Sequence, residues 1–257
     1  MKWIQSSENP LIKEIKKIIK QPEERVFIEG INLIETAINS TNVQLEKILV
    51  TDSFIERHSE FFKTLQDKFS VIGISQKIAK EISDTVTPQG IFAMAKFKFS
   101  NINEIKNPTL IVIADRIQDP GNLGTIIRAS EALGAEAILL TSGTCNPLSG
   151  KVLRASAGSI FFIPLIEVSY EEINEFISKN KITLVVTELK AKQPCFNLDL
   201  TLPVAVAFGN ESHGVSEELK KIKHISCRIP HRGKTESLNV AMSAAVLLYE
   251  ILRQRSL

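Results

Sequence analysis

The chain has 257 residues, of which 44% are hydrophobic and 23% charged, and its formal net charge is +2. This is ordinary globular composition, so collagen-like, mucin-like and intrinsically disordered classes are excluded. At about 150 residues per domain its length favours two domains, and no apolar run reaches the roughly 18 residues that a bilayer span requires.

The N-terminal sequence and the cysteines lead us to expect a cytoplasmic protein. Residues 1–5 lack the apolar core of about 7–15 residues that an export signal contains. Cys145, Cys195 and Cys227 are odd in number and far apart, which excludes a disulfide framework and a CxxC pair. The four histidines lack metal-site spacing, so we expect neither a metal nor a membrane association.

Basic residues cluster in two stretches. Residues 219–257 contain eight Lys or Arg residues against two acids, and a second cluster near the N-terminus comprises Lys13, Lys16, Lys17 and Lys20. Such clusters attract phosphate backbones, although a solvated helix face is the commoner cause of a lysine run. Charge alone therefore leaves nucleic-acid binding open.

The first 98 residues predict a small α/β domain, because helical and strand patterns alternate along them. Apolar residues three and four positions apart indicate helices at 11–19, 31–38, 53–68 and 76–83. Short apolar or alternating runs predict strands at 26–30, 45–50, 71–74 and 90–95.

A polar segment that ends in proline predicts a linker after this domain. We place the first domain at residues 1–98, the linker at 99–107 and a second domain at 108–257. The run at 109–114 is almost unbroken in β-branched residues, which is typical of a strand buried on both faces.

The rest of the second domain continues the α/β pattern. A turn is predicted at 119–121, helices at 122–133, 217–221 and 238–253, and strands at 135–141, 182–187 and 203–208. The last helix carries a stripe of small residues that lets either the sheet or a partner subunit approach closely.

Three common motifs are absent. The sequence Gly121-Asn122-Leu123-Gly124 lacks the spacing of a dinucleotide-binding loop, and no GxxxxGK(S/T) motif is present. Ser212 does not lie in a GxSxG sequence. These absences exclude a standard Rossmann site, a P-loop and a serine hydrolase elbow.

Three segments place polar residues at strand-to-helix junctions, where open α/β sheets bind ligands. The first contains Asn122 and Arg128, the second contains Glu211, and the third contains Ser237 and Asn239. The guanidinium of Arg128 could bind a phosphate or carboxylate bidentately. Glu211 follows an apolar strand, an unusual place for an acid unless it is paired.

Each segment also has a purely structural interpretation. Asn122 can cap the helix that follows it, and Arg128 can face solvent. Ser216 can cap a helix after the Glu211 loop, and Ser237 can cap the last helix, which leaves Asn239 without a local explanation. The three segments in this order are more specific than any one alone.

The segments resemble the three motifs of the SpoU group of RNA 2′-O-ribose methyltransferases, within the SPOUT superfamily. The resemblance covers residues 108–257, and its matching positions are Asn122, Gly124 and Arg128, then Gly209, Glu211 and Gly214, then Ile229, Pro230, Gly233, Ser237, Leu238 and Asn239. His231 departs from the methionine that many members carry after Ile-Pro. Residues 1–98 are similar to the L30e-like substrate-binding domain often fused ahead, at 6–13 and 27–30.

The resemblance implies a C-terminal SPOUT α/β trefoil-knot domain preceded by a smaller L30e-like α/β domain. It also implies S-adenosylmethionine as cofactor, RNA as substrate and a homodimer through the C-terminal domain. The implied catalytic residues are Asn122, Arg128, Glu211, Ser237 and Asn239. The implied cofactor contacts are Gly209, Ile229 and Leu238, with Thr187 lining the same pocket.

The resemblance makes Arg128 the candidate base. A guanidinium has a pKa above about 12 and stays protonated, so we expect Arg128 chiefly to anchor a phosphate and polarise the ribose hydroxyl. Glu211, Ser237 and Asn239 are expected to orient groups and stabilise developing charge. We expect ribosomal RNA of the 23S type as substrate, because stand-alone tRNA members more often lack the leading domain. A tRNA substrate and a non-catalytic RNA-binding dimer are the alternatives.

Overall fold

The computed structural model describes residues 1–256, and residues 2–97 form a five-stranded mixed sheet with helices packed on it. The strands are β1 (Lys2–Ile4), β2 (Arg25–Glu29), β3 (Val43–Val50), β4 (Val71–Ile74) and β5 (Ile91–Phe97), in the spatial order β1-β4-β3-β5-β2. The helices are α1 (Pro10–Lys20), α2 (Ile31–Ile38), α3 (Asp52–Arg57), α4 (Ser59–Lys68) and α5 (Gln76–Ile82).

Residues 110–255 form a second, six-stranded sheet in which all paired strands are parallel. Its strands are β6 (Leu110–Asp115), β7 (Ala137–Thr141), β8 (Leu165–Val168), β9 (Thr183–Thr187), β10 (Val204–Gly209) and β11 (His224–Cys227), in the order β11-β9-β10-β6-β7-β8. Its helices are α6 (Pro120–Ala132), α7 (Gly150–Ala155), α8 (Tyr170–Asn180), α9 (Glu217–Lys220) and α10 (Val240–Arg255).

Helices cover both faces of the second sheet, which explains why β6 is buried at every position. Val112 and Ala114 pack in the core layer that contains α6 and α10, whereas Ile111 and Ile113 pack in the opposite layer with α8. A strand enclosed on both sides needs apolar residues at successive positions, as the β-branched run predicted. The sheet therefore provides a rigid base, and the segments at its strand ends are free to carry polar groups.

Several predicted boundaries were wrong. The helix predicted at 53–68 is interrupted at His58, whose backbone is not helical (φ −132°). The turn predicted at 119–121 is the first turn of α6, because Asp119 caps that helix and Pro120 fits its first position. The short elements β1, α7, β8 and β11 and the 11-residue helix α8 were not predicted.

The two sheets are joined through α2, α7 and the chain beside them. We call residues 1–98 the N-terminal region and residues 108–256 the C-terminal region. Asn146 Nδ2 donates to the carbonyl of Pro22 at 2.7 Å. The Ser40 hydroxyl donates to the carbonyl of Phe161. These contacts bring the N-terminal region against the loop and helix that follow β7. Within residues 1–256, no helix is both long and apolar enough to cross a membrane.

Candidate active site at the carboxyl ends of β6 and β10

The candidate site lies where two neighbouring central strands end. β6 and β10 are paired in parallel, with Gly209 opposite Asp115. The segments that leave them therefore emerge side by side, one leading into α6 and the other into the loop that contains Glu211. This is the edge at which open parallel sheets bind ligands.

Asn122, Glu211 and Asn239, which we call the site trio, are joined by hydrogen bonds. Asn122 Nδ2 donates to Glu211 Oε1 at 2.8 Å, across 89 positions of sequence. Asn239 Nδ2 donates to Asn122 Oδ1 at 2.9 Å, across 117 positions. The three predicted segments thus meet at one point, and Glu211 is paired.

Asn239 also fixes the start of α10. Its Oδ1 accepts the backbone N–H groups of Ala241 at 2.9 Å and Met242 at 3.3 Å. Asn239, and not Ser237, is therefore the cap of this helix. Because one end of the amide binds the helix and the other binds Asn122, the side chain is held in a single orientation.

Asn122, in contrast, does not cap its own helix. Asp119 does so, since its Oδ1 accepts the Asn122 N–H at 2.8 Å. The other carboxylate oxygen of Asp119 lies 3.1 Å from Lys151 Nζ. The Asn122 N–H and then Lys151 lower the pKa of Asp119, so this carboxyl is ionised at neutral pH and the Asn122 side chain is free for the trio.

Asn210 shapes the loop that presents Glu211, a role that we did not predict. Its buried Oδ1 accepts the N–H groups of Ser212 at 2.9 Å and His213 at 3.1 Å, and its Nδ2 donates to the carbonyl of Arg116 at 3.1 Å. Asparagine favours such turns because its side chain mimics a backbone group. Its position directly after the strand-end glycine was the available signal.

Asp115, a second residue that we did not single out, holds the same loop from the buried end of β6. Its fully buried carboxylate accepts hydrogen bonds from the Thr141 hydroxyl at 2.9 Å, the Tyr170 hydroxyl at 2.9 Å and the Ser216 N–H at 2.6 Å. Burial, together with this carboxylate, raises the pKa of Tyr170. Asp115 therefore ties β6 to β7, to α8 and to the end of the Glu211 loop.

Two motif glycines are required by close packing. A Cβ on Gly209 would lie 2.1 Å from the backbone nitrogen of Val215, so only glycine lets the loop fold back onto β10. A Cβ on Gly124 would lie 2.5 Å from the Cβ of Ala155, so Gly124 allows α6 and α7 to touch. Gly124 thus acts in helix packing.

The structure does not bring Arg128 or Ser237 into contact with the site trio. Both are exposed, and within residues 1–256 neither side chain forms a hydrogen bond or an ion pair. Arg128 lies on the solvent face of α6, nearly two turns after Asn122. Ser237 lies in the exposed segment that leads to α10.

Gly209 ends β10, Ile229 follows β11 by two positions, and Leu238 directly precedes the cap of α10. β11 ends with Cys227 opposite Thr187, and β9 is paired with β10 on its other side. Within residues 1–256, the main-chain N–H groups of Ile229 and Leu238 form no hydrogen bond. These groups are available to a ligand. The Thr187 hydroxyl, however, donates to the carbonyl of Ala207 at 2.9 Å.

Cys145 lies near Asp119 and Glu211 and is a protonated thiol. Burial, and then the negative charges of Asp119 and Glu211, raise the pKa of Cys145 to about 11. The thiolate is the nucleophilic form of cysteine, so this residue is inert at neutral pH. Among residues 1–256 no group of three His, Cys, Asp or Glu side chains could hold a metal ion.

Four of the twelve basic residues in the predicted clusters, Lys13, Lys16, Lys220 and Arg253, form ion pairs within residues 1–256. Lys13 lies 2.6 Å from Glu8 and Lys16 lies 2.9 Å from Glu81. Lys220 pairs with Glu188 at 3.0 Å, a contact that raises its pKa. Lys17 and Lys20, at the end of α1, are exposed and are the better candidates for phosphate contacts.

Comparison with known proteins extends these findings. The model of the SpoU rRNA Methylase family matches residues 109–249, and the model of the MRM3-like substrate binding domain matches residues 9–93. The chain is 31% identical to the 23S rRNA (guanosine(2553)-2′-O)-methyltransferase RlmP of Bacillus subtilis, over 98% of this chain and 99% of that protein.

Two solved structures resemble the whole chain. The AdoMet-bound rRNA methyltransferase from Sinorhizobium meliloti is 28% identical, with a TM-score of 0.84 over 98% of this chain and 97% of that one. An RNA 2′-O ribose methyltransferase is 32% identical, with a TM-score of 0.84 over 99% of this chain and 100% of that one. The predicted two-part α/β fold class is confirmed, and the trefoil threading stays a prediction.

Proposed function

This chain belongs to the SpoU rRNA methylase family, and we propose that it transfers the methyl group of S-adenosylmethionine to a ribose 2′-hydroxyl of ribosomal RNA. The observation that carries the proposal is the hydrogen-bonded site trio, which joins three motifs from distant parts of the chain at the carboxyl ends of β6 and β10. The similarity to 23S rRNA methyltransferases along nearly the whole chain supports ribosomal RNA as the substrate class.

Gly209, Ile229 and Leu238 would hold the cofactor mainly through backbone groups. The free main-chain N–H groups of Ile229 and Leu238 fit a ligand that presents hydrogen-bond acceptors, as an adenine ring does. S-adenosylmethionine supplies an electrophilic methyl group on a positively charged sulfur. The chain therefore has to place the ribose hydroxyl in line with that group and help it lose its proton.

The trio is suited to positioning. Glu211 uses Oε1 to accept from Asn122, and its second oxygen, on an exposed side chain, can accept a hydrogen bond from a ribose hydroxyl. Asn122 is fixed from both sides, so this carboxylate is held in one direction. Accurate placement of reacting groups can contribute about 7–11 kcal/mol to catalysis.

Arg128 and Ser237 complete the proposed catalytic set from outside the trio. The guanidinium of Arg128 anchors an RNA phosphate and polarises the hydroxyl, and Ser237 orients the substrate. Arg128→Lys keeps the charge but loses the bidentate geometry. We expect it to lower kcat/KM at least tenfold, and near-wild-type turnover would make bidentate anchoring untenable.

We also propose that the chain is a homodimer through the C-terminal region. Met242, Val246 and Tyr249 recur at helical spacing along α10, and all three are exposed. Because α6 packs against α10, a dimer through this stripe would place Arg128 near the interface and the site close to the partner subunit. Met242→Glu combined with Tyr249→Glu should give a monomer in light scattering, and an unchanged mass would contradict this arrangement.

We propose separate roles for the two regions, each of which contains one of the sheets. Residues 1–98 recognise the RNA, residues 99–107 link the parts, and residues 108–257 carry the chemistry. We place this activity in the cytoplasm. Because acting on a 2′-hydroxyl distinguishes RNA from DNA, substrate choice beyond that distinction comes from the N-terminal region.

The test is transfer of tritiated methyl groups from S-adenosylmethionine to unmodified transcripts. We expect incorporation into 23S rRNA at one 2′-hydroxyl and none into the corresponding DNA. Incorporation into tRNA alone would show that the substrate is tRNA and not ribosomal RNA, while the proposed methyl transfer would stand. Cofactor binding without transfer to any RNA would refute the proposal.

A further inference from the structure

Lys151 lies in the first turn of α7, beside the residues that hold the site trio. Its Nζ is 3.1 Å from Oδ2 of Asp119, whose Oδ1 accepts the Asn122 N–H at 2.8 Å. A Cβ on Gly121 would lie 3.8 Å from Lys151 Cε, so the lysine side chain lies along the first turn of α6. A continuous chain of contacts thus links Lys151 through Asp119 and Asn122 to Glu211.

The site carries two carboxylates that oppose an approaching polyanion. After burial, the negative charges of Asp119 and Glu211 both raise the pKa of Cys145, so the two carboxylates lie near this residue. Lys151 is the cation paired with Asp119, and 60% of its side chain is exposed. It offers an approaching phosphate backbone a positive charge at the edge of the site.

Helix α7 is also where the two regions of the chain meet. Arg154 Nη1 lies 3.6 Å from Asp84 Oδ2, and a Cβ on Gly150 would lie 2.6 Å from the same oxygen. Asp84 belongs to a loop that leaves Val86 fully exposed. Since α7 contacts this loop at Gly150 and the first turn of α6 through Lys151, Lys151 lies between the loop and the site.

We propose that Lys151 is a substrate-positioning residue whose ammonium group exchanges Asp119 for a phosphate of the RNA strand that enters the site. This inference rests on the proposed function, because it requires a nucleic-acid substrate. Exposed ion pairs contribute little to stability, so the exchange is easy, and the new contact is a charge-assisted hydrogen bond. Asp119 keeps its bond to the Asn122 N–H, so α6 stays capped.

The test compares Lys151→Gln with the wild type, with Lys151→Arg and with a matched control, Lys179→Gln. Lys179 is exposed on α8, in the opposite helical layer, so its removal changes the net charge equally. Binding of an unmodified 23S rRNA transcript is measured by filter retention at several salt concentrations. Cofactor affinity is measured by calorimetry, and kcat and KM by methyl transfer.

Lys151→Gln is expected to weaken RNA binding about fivefold. The fall of log affinity with log salt should become shallower, its slope decreasing in magnitude by about 0.7–0.9, the value for one phosphate contact. KM for RNA should rise while kcat at saturating RNA and cofactor affinity stay unchanged. Lys151→Arg should restore binding, and Lys179→Gln should behave as the wild type.

A salt slope for Lys151→Gln equal to that of the wild type would overturn the inference. Equal losses of cofactor and RNA affinity would also overturn it, because Lys151 would then act only through the structure of α6. Failure of the proposed function has a different signature, in which the wild type binds the transcript but transfers no methyl group. The slope comparison still decides the role of Lys151 in that case.

Discussion

Asn239 has two separable roles, and substitution can test each. Asn239→Ala removes the acceptor that binds the N–H groups of Ala241 and Met242 and also the donor to Asn122. Asn239→Asp keeps an acceptor for the helix and adds a negative charge at its N-terminus, where the helix dipole favours it. Only the alanine variant therefore loses the cap, whereas both variants lose the bond to Asn122.

The structure sets the expected magnitudes. A lost cap costs about 0.5–2 kcal/mol and a lost side-chain hydrogen bond about 0.5–1.5 kcal/mol. Asn239→Ala should therefore lower the free energy of unfolding by about 1–3.5 kcal/mol, and Asn239→Asp by no more than about 1.5 kcal/mol. For a chain of this size, 1 kcal/mol corresponds to a shift in Tm of about 2–4 °C.

Activity should separate from stability in the aspartate variant. Without a donor at position 239, the Asn122 side-chain oxygen loses its partner. The amide that donates to Glu211 is then no longer fixed from both sides. We expect kcat to fall about tenfold to a hundredfold in both variants, which corresponds to about 1.4–2.7 kcal/mol. Thermal unfolding by circular dichroism and methyl transfer to 23S rRNA give the two values. Full activity in Asn239→Asp would refute the positioning role, and equal loss of stability in both variants would refute the capping role.

Three further predictions follow from buried or crowded groups. Asp115→Asn replaces a fully buried acceptor of three hydrogen bonds, so the free energy of unfolding in urea should fall by about 3 kcal/mol; an unchanged midpoint would contradict the network. Gly124→Ala places a methyl carbon 2.5 Å from the Ala155 Cβ and should lower the free energy of unfolding by about 1–3 kcal/mol. The control Gly233→Ala, whose added Cβ would meet one atom at 3.9 Å, should have the same Tm as the wild type. Because the pKa of Cys145 is raised to about 11, its alkylation by iodoacetamide should be slow at pH 7.5 and accelerate as the pH approaches 11. Rapid alkylation at pH 7 would show that the thiol is not held protonated.

The sheet and the position of the site could be predicted because each follows from local chemistry. The β-branched run of β6 predicts a strand buried on both faces, and polar residues that directly follow such strands have to lie at the carboxyl edge. Glu211 follows β10 within two positions, and Asn122 lies in the first turn of α6, the helix that follows β6. Their direct contact could not be predicted, because it depends on β10 pairing with β6 across nearly ninety positions of sequence.

Other features were missed because one sequence pattern is compatible with two structures. Asp119-Pro120-Gly121 is typical of a turn, yet an aspartate followed by proline also starts a helix, and here it starts α6. Ser237 and Asn239 can both cap a helix, and only the position of α10 decides for Asn239. β11 has four residues and α7 has six, too few for a periodic pattern.

Asp115 and Asn210 show a limit of a different kind. Each holds the Glu211 loop through buried hydrogen bonds, but neither lies on the surface that faces a substrate. A search for exposed reactive groups passes over such residues, because their partners are known only once the fold is known.

The most direct test of the central claim is a map of 2′-O-methylation across ribosomal RNA from cells with and without this protein. The account predicts that one ribose methylation in 23S rRNA disappears in its absence and returns with the wild-type chain but not with Asn122→Ala. An identical map in both strains, or full restoration by Asn122→Ala, would contradict it.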